Sequence, residues 1–90
     1  MGVTPSEQTA IQRRVDTAGP EELAKLHQSA EGNLRAMSIM ARLIPLSSEE
    51  LKAANTAIEL LARIEAKQQG GGWWFRTKRR FQLTNLYFRS

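Results

Sequence analysis

Over residues 5–69 the apolar side chains recur three and four positions apart, and capping residues between the runs divide them into three helices. Thr4-Pro5-Ser6-Glu7 offers a threonine N-cap, proline at the first helical position and glutamate at the third, so a helix is expected over about 5–17. Ala10, Ile11 and Val15 form its stripe. Thr17-Ala18-Gly19-Pro20 closes it, and Pro20 opens a second helix of about 20–44 with Glu21 and Glu22 at the positive end of its dipole. There Leu23, Ala30, Met37 and Ile44 recur every seven residues, Leu26, Asn33 and Met40 supply a second row, and Leu34 and Ala41 widen it. That spacing predicts a seam against a packed helix, with Asn33 fixing its register or lying at its edge.

Pro45 stops this helix. Ser47 with Glu50 then makes a capping box and Leu46 with Leu51 a hydrophobic staple, starting a third helix of about 47–69. Leu51, Ala54, Ile58 and Leu61 lie on one face, Ala57, Leu60 and Ile64 beside it, and Glu59 and Arg63 are expected on the exposed side. Two helices of matched length joined by a two- or three-residue connection form an antiparallel hairpin. The third helix carries more apolar stripe than one neighbour covers. A homodimer of two hairpins is therefore expected, with a three-helix bundle closed by the first helix as the alternative.

The pattern changes after Gly70-Gly71-Gly72, which ends the third helix and is expected to act as a hinge. From Trp73 to Thr84 the period is two: Trp73, Phe75, Thr77, Phe81 and Leu83 alternate with Trp74, Arg76, Lys78, Arg80 and Gln82, and Arg79 is the exception. This predicts an extended arm, β-strand in character, over 73–90. A lone strand needs a partner, which a second subunit, the folded-back 83–88 segment, another protein's edge strand or the bundle surface could supply. The fold class is thus all-α, a hairpin with a short N-terminal helix over 1–69, followed by the hinge at 70–72 and an extended basic-aromatic arm.

Charge sharpens this partition. Residues 1–69 carry eight lysines and arginines against nine acids, net −1, whereas residues 70–90 carry five basic side chains and no acid, which brings the chain to +4. All six aromatic residues lie in the second part. Arginine and lysine beside tryptophan and phenylalanine suit phosphates and unpaired bases, so nucleic acid is the favoured partner. The same composition suits an anionic membrane surface or a protein hot spot. As an alternative the arm is structural and completes the core or the dimer. The residues expected to bind are Trp73, Trp74, Phe75, Arg76, Lys78, Arg79, Arg80, Phe81, Tyr87 and Arg89.

Composition narrows the chemistry. With no cysteine, one histidine (His27) and one aspartate (Asp16), thiolate nucleophiles, disulfide scaffolds and a histidine-pair zinc site are excluded. Gly70–Gly72 has no strand before it and no Lys-Ser/Thr after it, so it is not a phosphate loop. A binding protein without catalytic, cofactor or metal residues is expected, cytoplasmic in the absence of a leader-like start and of any apolar run of roughly 20 residues. Two remote alternatives remain. Arg35, Arg42 or Arg63 facing a groove could build a small helical enzyme. The glycine run before a cationic aromatic segment resembles double-glycine leaders of secreted peptides, although Gln68 and Gln69 stand where those leaders carry apolar anchors.

Overall fold

Capping chemistry sets the helix ends. A computed structural model describes residues 4–88, and among them the chain forms α1 (Pro5–Thr17), α2 (Pro20–Leu43), α3 (Ser48–Gln69) and α4 (Trp73–Phe88), with no strand. Thr4 Oγ1 accepts from the Glu7 N–H at 3.3 Å, but the glutamate does not complete the box. Its carboxylate reaches across to Lys52 Nζ on α3 at 3.0 Å instead. At α3 both halves are made: Ser47 Oγ accepts from the Glu50 N–H at 3.2 Å and Glu50 Oε1 accepts from the Ser47 N–H at 2.9 Å. Between them Ile44 is extended, as the residue before Pro45 must be.

Helix α3 is the axis of the molecule. Eight of its residues are buried: Ala54, Ala57, Ile58, Glu59, Leu61, Ala62, Ile64 and Ala66, which occupy far more than one face. Around it pack α2 and α4, both antiparallel to it, and α1, which runs parallel. One apolar cluster joins Ala30 and Leu34 of α2 to Ala54, Ile58 and Leu61 of α3 and Leu83 of α4. The other joins Val15 and Ala18 to Leu23 and Ile64. Lys67 Nζ donates to the carbonyls of Val15, Asp16 and Ala18 at 2.8, 2.9 and 3.2 Å, placing a cation on the negative end of α1 and fixing it against α3.

Three expectations are corrected by this arrangement. The extended arm is replaced by a fourth helix, so the chain is all-α with four helices among the described residues and not three plus a strand. A strand here would leave backbone groups unpaired, because the described chain has no other strand, whereas a helix pairs them internally. The alternation also fails at Lys78-Arg79-Arg80, while Arg76, Arg80, Leu83 and Tyr87 share one helical face. Second, the buried row of α2 is Leu23, Ala30, Leu34 and Ser38, and Asn33, Met40 and Ile44 are exposed. Residues 30, 34 and 38 form a ridge four apart, which crosses α3, and a heptad seam would run along it. Third, Glu59 is buried at 4% exposure, because α4 lies over the side of α3 expected to face water.

Two glycines of the Gly70–Gly72 run have positional roles. Gly70 has φ +70°, and the Gly71 N–H bonds the Ala66 carbonyl at 2.8 Å while the Gly70 N–H bonds that of Lys67 at 3.4 Å, a Schellman closure. At Gly71 a Cβ would stand 2.7 Å from the Phe75 Cβ. The chain therefore turns back within three residues and lays α4 on α3.

Candidate interaction surface

Helix α4 divides its side chains between bundle and solvent, and over residues 73–81 the division inverts the usual amphipathic order. Toward the bundle point the guanidinium groups. Arg76 Nη1 donates to Gln12 Oε1 on α1 at 2.9 Å, Arg79 Nε to Glu65 Oε1 at 2.8 Å and Arg80 Nη1 to Glu59 Oε2 at 3.0 Å. Leu83 fills the core at 2% exposure, with Tyr87 and Phe88 partly buried against the same cluster. Outward point the aromatics: Trp73 is 66% exposed, Trp74 70% and Phe81 70%. The two indoles lie with centroids 6.2 Å apart, tilted by 41°. Lys78 is exposed among them and makes no ion pair among the described residues.

Two polar networks hold the inward face. In the first, Glu59 accepts from Arg63 Nε at 2.8 Å and from Arg80, while Gln12 Oε1 accepts from both Arg63 and Arg76 and Gln12 Nε2 donates to Asp16 at 2.7 Å. In the second, Glu65 holds Arg79 and stands 3.3 Å from His27 Nε2, and Glu31 pairs with Arg35 at 3.1 Å. Glu59 and Glu65 of α3 thus each meet a guanidinium of α4. A buried glutamate is tolerable only with such partners. His27 is half-buried on α2, where its ring meets Glu65 as part of the packing.

The expected binding residues accordingly separate. Trp73, Trp74, Lys78 and Phe81 are together on the solvent side; Arg76, Arg79 and Arg80 are engaged by Gln12, Glu65 and Glu59; Phe75 abuts Gly71, and Tyr87 packs on the core. Arg89 lies outside the described residues. The other exposed cations with neither an ion pair nor a side-chain hydrogen bond among the described residues, Arg13, Arg14, Lys25 and Arg42, are spread over α1 and α2.

A second apolar area lies at the hairpin tip. Ile39, Met40, Leu43 and Ile44 surround the last turns of α2, with Leu43 at 79% exposure, and Leu51 opens α3 beside them. Beneath the end of α4 a groove of about 330 Å³ is lined by Ala41, Leu46, Leu51, Ala54, Ile58 and Phe88, with Asn55 and Thr84. Heptad reasoning missed it by assigning Met40 and Ile44 to the seam. The available signal was Ile39 and Leu43, apolar residues outside the seam, which with Met40 lie on the side of α2 opposite Leu34 and Ser38.

Among the described residues no group of three or more potential metal ligands occurs, and no helix is long and apolar enough to cross a membrane. No protein-family model, curated protein or solved structure matches the chain.

Proposed function

We propose that this chain is a non-catalytic interaction protein that binds a protein partner through apolar surface. The observation that carries the reading is the polarity of α4: Arg76, Arg79 and Arg80 are already engaged by Gln12, Glu65 and Glu59 while Trp73, Trp74 and Phe81 face out. Exposed Ile39, Met40, Leu43 and Ile44 at the hairpin tip, where a groove is lined by leucine, isoleucine and phenylalanine, suit the apolar face of an amphipathic helix. A cytoplasmic location belongs to the same proposal.

Nucleic acid is the second reading, favoured by Trp73, Trp74 and Phe81 standing exposed beside Lys78, where unpaired bases could stack. The two readings differ in salt dependence. A full set of five phosphate contacts gives a slope of about −4 in log K against log salt, whereas Lys78 alone gives a slope nearer −1. We expect single-stranded oligonucleotides titrated at about 50 and about 200 mM salt to show the shallow slope or no binding. A slope near −4 would mean that the arginines leave Glu59 and Glu65 for phosphate, and the protein-partner reading would fall. Conversely, amphipathic helical peptides selected from a display library should bind the protein and lose affinity to its Leu43→Glu variant. Selected peptides indifferent to that change would place binding away from the tip.

A further inference from the structure

The outward face of α4 has a repeat that period-two reading hides. Trp74 and Phe81, both exposed, and Phe88, which is partly packed on the core, stand seven residues apart, with Thr77 and Thr84 at the intervening position, so the spacing is three, four, three, four. That is the pattern of a helix that packs along another helix, and among the described residues no element covers Trp74 or Phe81.

We propose that the occupant of this seam is the α4 of a second copy, paired antiparallel about a two-fold axis at Phe81. This rests on reading the outward face of α4 as a binding surface, and it leaves the hairpin tip free for a different partner. Charge sets the direction. The described part of α4 has no acid and, on its outward side, the one cation Lys78. In a parallel pair each Lys78 would face its counterpart. In the antiparallel pair it faces Thr84 and Asn85 of the second copy, and the two ammonium groups are about 9 Å apart along the axis. Each Trp74 then meets the exposed edge of the second copy's Phe88, whose ring is otherwise packed on its own core. A two-fold axis uses the same patch twice and closes on itself.

The area fits a weak dimer. Aromatic side chains cover about 150–250 Å² each, so Trp73, Trp74 and Phe81, some two-thirds exposed, bring roughly 400 Å² per copy and about 800 Å² per pair. The threonines and Lys78 raise this toward the ~1,000 Å² of a specific but weak contact.

The full chain contains no cysteine, which makes cross-linking clean. Sedimentation of the protein between about 10 μM and about 1 mM is expected to show a monomer–dimer equilibrium with micromolar Kd. Phe81→Glu is expected to weaken it about tenfold or more with the melting curve unchanged, since the ring is exposed. Under mild oxidation a Phe81→Cys variant should form a disulfide-linked dimer. Trp74→Cys should not link to itself, because the two positions would be about 21 Å apart along the axis, but should link to a Phe88→Cys variant mixed with it. A monomer at about 1 mM, a dimer indifferent to Phe81→Glu, or self-linking of Trp74→Cys would each overturn the proposal, whatever the tip-selected peptides do. Loss of those peptides' selectivity for Leu43 with an intact dimer would instead remove the tip reading alone.

Discussion

Glu59 concentrates more of this structure's energetics than any residue the pattern of the chain singles out. Its carboxylate is almost fully buried and meets Arg63 from its own helix and Arg80 from α4. Removing one member of a buried pair costs more than the pair contributes, because the remaining charge is desolvated without compensation. Glu59→Ala strands Arg63, which is itself largely buried, so a loss of about 3 kcal/mol is expected in urea unfolding. Arg80→Ala leaves Glu59 with Arg63, and Arg80 is half-exposed, so about 1 kcal/mol is expected from the same measurement. Equal losses from the two would contradict this ordering. Gly71 makes a parallel case for backbone space: Gly71→Ala pushes a Cβ to 2.7 Å from that of Phe75, whereas Gly72→Ala meets nothing within 4 Å. A thermal melt should show Gly71→Ala destabilised by about 1–3 kcal/mol and Gly72→Ala within about 0.5 kcal/mol of the parent.

Among the elements, α3 and α4 show how unevenly a fold can be read from its sequence. The start of α3 was legible because Ser47 and Glu50 act within four residues, and both hydrogen bonds are present. They also make a pH prediction. The bond from the Ser47 backbone N–H, and then the Ser47 side chain, hold the Glu50 carboxyl below the usual carboxylate range. A carboxyl lowered in the folded state stabilises above its unfolded pKa and loses that contribution as pH falls through the folded value. The urea midpoint of the parent should therefore drop more between pH 6 and about pH 3 than that of Glu50→Gln, whose amide does not titrate. Identical pH profiles would show that the cap does not contribute. For α4 local reading fails. Aromatic and β-branched residues at 73–77 favour a strand, and the alternation supports it, but neither records that α3 offers Glu65 to Arg79 and Glu59 to Arg80. The same limit affected α2, where the seven-residue rows are the legible ones and only the crossing with α3 selects Ala30, Leu34 and the polar Ser38.

At the scale of the molecule, the surplus apolar stripe of α3 is met within one chain. Leu83, Tyr87 and Phe88 cover what a second hairpin was expected to cover, and the surface left over has moved to α4's outer side and the hairpin tip. Deleting residues 73–90 should therefore damage the fold. Uncovering the Leu83 site is worth about 2–3 kcal/mol, and Glu59 and Glu65 would lose their arginines in the same step. For a domain this small, with about 5–15 kcal/mol in total, the melting temperature should fall by about 15 °C or more, or the transition should lose its cooperativity. An unchanged melt would mean that α4 is a passenger on a bundle complete without it.

The sequence by itself determined where α1, α2 and α3 begin and end, that the chain is helical, and that its cations and rings gather at the C-terminal end, because caps, prolines, glycines and composition act within a few residues. Tertiary structure alone decided that the last segment is a helix, which row of α2 is buried, that Glu59 lies inside, and that arginines turn in while tryptophans turn out. Those outcomes depend on carboxylates and apolar side chains brought together from positions fourteen or more apart in the chain, and no local pattern encodes such a meeting.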